Sequence, residues 1–378
     1  MRLHNFTVMY KLLIISIFGL LASCFSSPTD EPKKDVELLQ LWSFEHGTAG
    51  DAPPIIHEDK IIMSGGLYVY ALNEETGEEI WKAQFEDDSE LQGRIFLING
   101  NQVAVAHTDK IRAWNISDGA LEWEFDYDIN GLKPRLTGKH ISYSDKYGFT
   151  SERSRFFILN MSGGVEQIKL LDNKYGVQGL AYSNSKLYIG QKNTVTGALT
   201  LGRITAFNSE TVDSLWVFNT DKGGFINVAP IVENGIIYAG SFGNSPTDIA
   251  VALNAETGEV IWEHESDFIF TRNSALGPKH FYINTGGSLA ALDKQTGVIK
   301  WRERWLGTAS TKPVYLGGYV YFTNYSELMV IDDETGEVVH REPSPDGSTI
   351  WHVAASSDKI FAQTSRQLIA YQPWHLRN

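Results

Sequence analysis

Residues 71–81 read Ala71-Leu72-Asn73-Glu74-Glu75-Thr76-Gly77-Glu78-Glu79-Ile80-Trp81. The same eleven-residue frame returns as Ala252 to Trp262 (ALNAETGEVIW) and Ala291 to Trp301 (ALDKQTGVIKW), and Ala113 to Trp123 keeps it. Three further copies have drifted. Ala206 to Trp216 has Val212 for the glycine, Val330 to His340 has His for Trp, and Ile158 to Ile168 keeps Asn160 and Gly164. An Asn or Asp side chain can accept from its own turn backbone, and glycine supplies the left-handed position, so the unit predicts a β-hairpin. Self-similarity at a fixed period is the signature of a repeat architecture.

A second strand pair precedes each copy. Before Ala71 it runs Ile55-Ile56, then Lys60-Ile61-Ile62-Met63, with Ser64-Gly65-Gly66 leading into Leu67-Tyr68-Val69-Tyr70. Four short alternating strands per period describe a propeller blade. The terminal positions 42, 81, 123, 168, 216, 262, 301 and 340 lie 39 to 48 residues apart. Trp42 has no hairpin upstream of it, while Arg366–Tyr371 is a half-copy with no following Trp strand. Joining the two completes a ring. The expectation is an all-β, eight-bladed propeller of four-stranded antiparallel blades over residues 38–378, closed by the N-terminal strand. Trp42, Trp81, Trp123, Trp216, Trp262 and Trp301 are read as packing residues between blades. Closure removes the free sheet edge, which suits a monomer.

Composition narrows the chemistry. The chain has 378 residues, 32 Lys+Arg against 46 Asp+Glu, a formal charge of −14 and one cysteine. So acidic a surface disfavours nucleic acid. One cysteine excludes an intrachain disulfide and a Cys-based zinc site. That cysteine, Cys24, follows the apolar run 12–21 as Leu21-Ala22-Ser23-Cys24. The run suits a signal-peptide core and is short for a bilayer span. Residues 1–23 are therefore read as a lipoprotein signal peptide ending in a bacterial lipobox, with Met1 or Met9 as its start. Cys24 is the lipidated residue and 24–37 a flexible tether. Loss of Arg2 and Lys11 takes the charge to −16. Phe25 after the cysteine favours the outer membrane, facing the periplasm or the cell surface.

No catalytic signature is present: the chain lacks GxSxG, Walker, HExxH and GxGxxG patterns. Ser356-Ser357-Asp358-Lys359 matches Ser-x-x-Lys but falls in a turn equivalent to Asp59-Lys60 and Ser185-Lys186. No catalytic residue, metal or cofactor is expected. The Glu-rich turns, such as Glu74-Glu75 and Asp87-Asp88, read as solvated faces. Blades three, four and five are the long ones, and their extra residues are assigned to the second-to-third strand connections at 144–156, 190–202 and 240–248. Insertions in repeat proteins gather on the binding face, so Tyr147, Phe149, Arg153, Arg155, Lys192 and Phe242 are candidate partner contacts, with Trp305 and Trp351 on loops at the same end.

The repeat resembles the pyrroloquinoline-quinone-type propeller repeat over nearly all of 38–373. Among families sharing it, quinoprotein dehydrogenases are larger and usually carry an adjacent-cysteine disulfide, absent here. The BamB family, non-catalytic lipoproteins of the outer-membrane β-barrel assembly machine, matches in length, lipobox and eight-fold count. That resemblance implies partner-docking segments after the fourth and fifth repeat tryptophans. Here they read Tyr175-Gly176-Val177-Gln178-Gly179, with Gln178 in place of the family's Arg, and Phe225-Ile226-Asn227-Val228-Ala229-Pro230, without its two acids. Gln178, Phe225 and Asn227 join the candidates on that basis. The function implied is an envelope scaffold, with β-barrel assembly the role the resemblance points to; the alternatives are a quinone-type enzyme or ligand sensor using the central channel, and a structural surface lipoprotein.

Overall fold

Each repeat unit folds as the outer hairpin of a four-stranded antiparallel blade. The computed structural model describes residues 37–48, 52–84, 96–106, 110–126, 136–151, 155–194, 200–225, 229–242, 247–266, 273–284, 288–304 and 311–377. Eight such sheets make an eight-bladed propeller. Blades 1 to 7 occupy 55–84, 96–126, 136–170, 175–220, 231–266, 274–304 and 314–343; blade 8 takes 350–371 and is completed by Gln40–Glu45. That last strand pairs antiparallel with Gln367–Tyr371, placing Trp42 opposite Ala370. Strands within a blade follow chain order, and the first strands of adjacent blades meet at the centre. Hairpin turns therefore sit at one end of the ring (the turn end), and second-to-third and inter-blade connections at the other (the loop end).

The motif explains its own conservation of shape across blades. Asn73 Oδ1 accepts the N–H of Glu75 (3.0 Å) and of Thr76 (2.9 Å), and Gly77 takes φ +73°. Asn254, Asp293 and Asp332 do the same in blades 5, 6 and 7. The Trp of each unit then reaches the next blade and lies flat on that blade's glycine. A Cβ on Gly77, Gly119, Gly258, Gly297 or Gly336 would come within 2.4–2.7 Å of Trp42, Trp81, Trp216, Trp262 or Trp301 respectively. Trp81 Nε1–H also donates to the Ile116 carbonyl at 2.7 Å, and Trp301 Nε1–H to that of Asp333 at 2.6 Å. Glycine is thus needed twice over, for backbone sign and for the indole's approach.

Blade 3 corrects the sequence frame. Its hairpin is one residue shorter: Ile158 pairs with Gln167, as Ala71 pairs with Trp81, and Gly163 (φ +77°) receives Trp123. The Trp equivalent is therefore Gln167 and not Ile168, which is exposed. Gln167 reaches toward blade 4, where its Nε2 donates to the Thr211 carbonyl at 3.3 Å. The glycine position there is Val212, fully buried at φ +54°. So both halves of the Trp–Gly contact are replaced together at this one junction. A β-branched residue in the left-handed region carries roughly 1–2 kcal/mol of strain. Gln167→Trp combined with Val212→Gly is expected to show a favourable coupling of about 1 kcal/mol in a double-mutant cycle, because Gln167→Trp alone drives the indole into Val212. Chemical denaturation of the four proteins measures it.

The drifted unit of blade 7 has a different solution. Blade 8 has no hairpin turn at its cut, and the C-terminal 3-10 turn Trp374–Leu376 supplies an aromatic instead. His340 stacks on Trp374 (4.9 Å between centroids, 22° between planes), and its Nε2 lies 2.8 Å from Glu342 Oε2. The same oxygen accepts the Leu38 N–H at 2.6 Å, so one carboxylate joins the start of the propeller to the outer strand of blade 7.

Candidate functional site

The loop end of blades 4 and 5 is built around a Gly-Gly pair. Gly223 adopts φ +82°, and a Cβ there would meet Asp248 Oδ1 at 2.7 Å; one on Gly224 would meet the Cβ of Lys192 at 2.6 Å. Free of side chains, the connection leaving blade 4 threads between its neighbours and bonds to both. Gly224 and Phe242 exchange N–H···O bonds of 3.0 and 2.7 Å, and Phe225 N–H donates to the Gln191 carbonyl at 3.3 Å. Ser241 Oγ–H donates to the Lys222 carbonyl at 2.6 Å and accepts the Ile249 N–H at 2.7 Å. The Lys222 ammonium bridges Glu263 (2.8 Å) and Glu265 on the outer strand of blade 5, and those two carboxylates hold its pKa above the usual lysine range. The segment is thereby a fixed platform.

A second cluster stiffens the approach to blade 4. The Arg203 guanidinium lies 3.6 Å from the Tyr175 ring centroid and donates to Asp172 Oδ2 at 2.8 Å and to Asn219 Oδ1 at 3.1 Å. The Lys174 N–H and then the Arg203 guanidinium keep the Asp172 carboxyl below its ordinary pKa. No motif marks this cluster; its four members come from separate strands and connections and meet only in the fold. Gln178 sits nearby as the extra residue of a bulge, since Val177 pairs with Gln191 and Gly179 with Gly190. Bulges re-aim side chains.

The sequence-derived candidates divide here. Lys192 and Phe242 lie half-buried on the platform, and Arg155 and Gln178 are half-buried on their strands. Tyr147, Phe149 and Phe225 are not surface contacts: all three are fully buried. Tyr147 and Phe149 belong to the second strand of blade 3, Lys146–Ser151, so most of 144–156 is core strand and the second-to-third connection is only 152–154. Tyr147 packs edge-on against Trp123 at 5.5 Å. Phe225 fills the space beside Gly202. The assignment at 240–248 fits, since strands Ile236–Gly240 and Asp248–Asn254 flank it. That at 190–202 is too wide: 190–193 continue the second strand, Lys186–Asn193, and Gly202 opens the third, so Lys192 is a strand residue. Cys24, Arg153, Asn227 and Trp305 lie outside the described residues, as does Asp87-Asp88.

The Glu-rich turns are also not mere solvated faces. Glu74 and Glu75 of blade 1 clasp Lys359 of blade 8. Lys146–Glu210, Lys186–Glu256 and Lys279–Glu334 repeat that inter-blade pairing around the turn end.

Comparison with known proteins decides the family. The family model for the outer membrane protein assembly factor BamB matches residues 39–264 and 246–374. The chain belongs to the BamB family. The Yersinia pestis BamB is 22% identical over 303 residues, covering 78% of this chain but 64% of that protein, so under two thirds of the relative's length is spanned. The crystal structure of Moraxella catarrhalis BamB superposes with a TM-score of 0.69 at 16% identity, covering 89% of this chain and all of that one. A europium-containing methanol dehydrogenase superposes with a TM-score of 0.71 at 12% identity over 89% of this chain and 93% of its own, a likeness of fold. Among the described residues of this BamB-family protein, no three His, Cys, Asp or Glu side chains gather as metal ligands.

Proposed function

We propose that this BamB-family protein is a non-catalytic, lipid-anchored scaffold of the bacterial outer membrane that docks a protein partner of β-barrel assembly through the loop end of blades 4 and 5. The family match over most of the chain carries the reading. The platform supports it: of the segments that the family resemblance singles out, Gln178 sits on a bulge in the paired strands of blade 4, and Gly224-Phe225 is bonded both to Phe242 of blade 5 and to Gln191 of blade 4. Preorganised backbone lowers the ordering cost of binding. Gln178 offers an amide where a guanidinium would be bidentate, so the partner surface here relies less on charge pairing. Cys24 would supply the anchor, with 24–37 as the tether to Leu38.

Affinity recovery of the full lipidated chain from detergent-solubilised envelope tests this. Co-recovery of the barrel-assembly complex is expected, and Lys192→Glu with Phe242→Ser should reduce it at least tenfold, since aromatic and cationic anchors dominate interfaces. Both side chains lie outside the core clusters, so the melting temperature should stay within about 2 °C. Undiminished recovery by this variant would move the interface elsewhere.

A further inference from the structure

Diametrically across the ring from blade 4, the loop end of blade 8 holds a cleft of about 910 Å3. Its walls are Glu45, Thr48, Asp346, Ser365, Arg366 and Gln367, with buried His46 beneath. No aliphatic side chain lines it. Trp351 is outside that lining but bonded to Ser365 of the wall, and alone among the described tryptophans it is exposed, at 46%. Two contacts fix that ring. The strand register slips between Ile350 and His352, leaving Trp351 as the bulged residue, and its Nε1–H donates to Ser365 Oγ at 2.9 Å. This indole lies on the innermost strand of blade 8 and is not one of the repeat tryptophans, whose member in this blade, Trp42, packs on Gly77; it is held open to solvent beside a polar cleft.

We propose that this cleft is a saccharide site, taking a β-linked hexose or hexosamine chain across the face of Trp351. The chemistry of the walls selects that class. A ligand driven by apolar burial would need apolar walls, and a bare phosphate would be repelled by Glu45 and Asp346. Sugars need planar donors and acceptors for hydroxyls and a flat π-face for axial C–H groups. The Arg366 backbone is engaged, its N–H donating to Thr364 Oγ1 at 3.1 Å and its carbonyl accepting the His46 N–H at 2.7 Å. Among the described residues its guanidinium donates no hydrogen bond and acts on Asp346 only through its charge, so its five donors are available. Asp346 is preset: one oxygen accepts from Ser344 Oγ, Ser348 N–H and Ser348 Oγ (2.8, 2.9 and 2.6 Å), and its other oxygen is left for ligand. Burial works against its charge, but the serine bonds win and hold its pKa below the ordinary value. The site shares no residue with the blade 4–5 platform, so it stands or falls separately from the proposed scaffold function.

The probes are chitotriose and cellotriose, titrated into the whole protein and followed by saturation-transfer NMR. Binding of at least one is expected with a Kd on the order of 1 mM, the range of a shallow, solvated site. The strongest transfer should fall on the axial ring protons. Trp351→Ala should weaken binding at least tenfold and Arg366→Ala several-fold, with melting temperatures unchanged because both side chains are exposed. Binding of neither sugar at 10 mM would overturn the proposal, as would binding that Trp351→Ala leaves intact. So would capture of poly-glutamate that depends on Arg366 alone, which would make the cleft a contact for an acidic segment.

Discussion

Gly297→Ala is expected to destabilise the propeller by about 4 kcal/mol, one of the largest effects available from adding one methyl group. Three terms add. The backbone at Gly297 stands at φ +70°, where an L residue pays roughly 1 kcal/mol. The new Cβ would lie 2.5 Å from Trp262 Cε3, a distance no real contact shows, and the atom met is a rigid indole in a buried site. Forcing that ring aside costs about 2 kcal/mol as overpacking. The displaced indole also lets go of the Lys294 carbonyl, to which its Nε1–H donates at 2.8 Å, for about 1 kcal/mol more. Gly235 supplies the control. It has the same backbone sign, φ +75°, with nothing within 4 Å of an added Cβ. Gly235→Ala should therefore cost only the first term, about 1 kcal/mol. Trp262→Leu is expected to suppress most of the Gly297→Ala clash, so the pair should be strongly non-additive in urea denaturation. Equal destabilisation at Gly235 and Gly297 would show that backbone sign alone, and not the docked indole, makes the motif.

That contrast shows what was legible in the repeat and what was not. The Asn, Gly and Trp positions carry local chemistry at fixed offsets, so blade number, hairpin position and ring closure through Trp42 can all be read from the chain. The partnership between one blade's Trp and the next blade's Gly cannot, because the two are about a period apart and meet only across an interface. The one-residue shortening in blade 3 was hidden by Gly163-Gly164, either of which fits the glycine slot. Assigning 144–156 to a loop failed for a physical reason as well. Lys146–Ser151 carries Lys, Gly, Thr and Ser among its aromatics and resembles an exposed segment, yet the fold buries Tyr147 and Phe149 against blade 2 and His140. The site was legible only as a region. Long connections flagged blades 3, 4 and 5, of which blade 3 proved to be mostly core strand, and the stitching by Gly223-Gly224, Ser241 and Arg203 depends on contacts between separate strands, for which sequence spacing carries no signal.

Lys359→Met is expected to loosen ring closure, and its size follows from what the ammonium leaves behind. Lys359 is 3% exposed at the junction between blade 8 and blade 1, where the chain's first complete blade must meet its last. Its Nζ lies 2.5 Å from Glu75 Oε2, 3.2 Å from Asp358 Oδ2 and 3.3 Å from Glu74 Oε2. Burial alone would lower its pKa, but the bonds to Glu75 and Asp358 and the charge of Glu74 outweigh it, so the net shift is upward. For Asp358 the balance runs the other way: burial raises its pKa, the bond from Lys359 lowers it, and the net is down. The signs give the window. A lysine with a raised folded pKa stabilises fully below its unfolded value near 10.4, and that contribution fades as pH rises through the folded pKa. An aspartate with a lowered folded pKa stabilises above its unfolded value near 3.9 and fades as pH falls through the folded pKa. The clasp is thus intact across neutral pH and releases at both extremes. Methionine keeps the aliphatic stem but removes the charge, leaving three carboxylates facing one another with Glu74 mostly buried. We expect a loss of about 3 kcal/mol, at the low end for a broken buried pair because Glu75 and Asp358 stay hydrated. Lys186→Met, at the equivalent turn of blade 4, loses one exposed partner in Glu256 and should cost under about 1 kcal/mol. The two turns have the same sequence logic and the same place in their blades, so a difference between them isolates the seam. If Lys359→Met and Lys186→Met melt alike, and the acid limb for Lys359→Met matches wild type, closure rests on the paired strands Gln40–Glu45 and Gln367–Tyr371 alone, and the clasp contributes nothing to it.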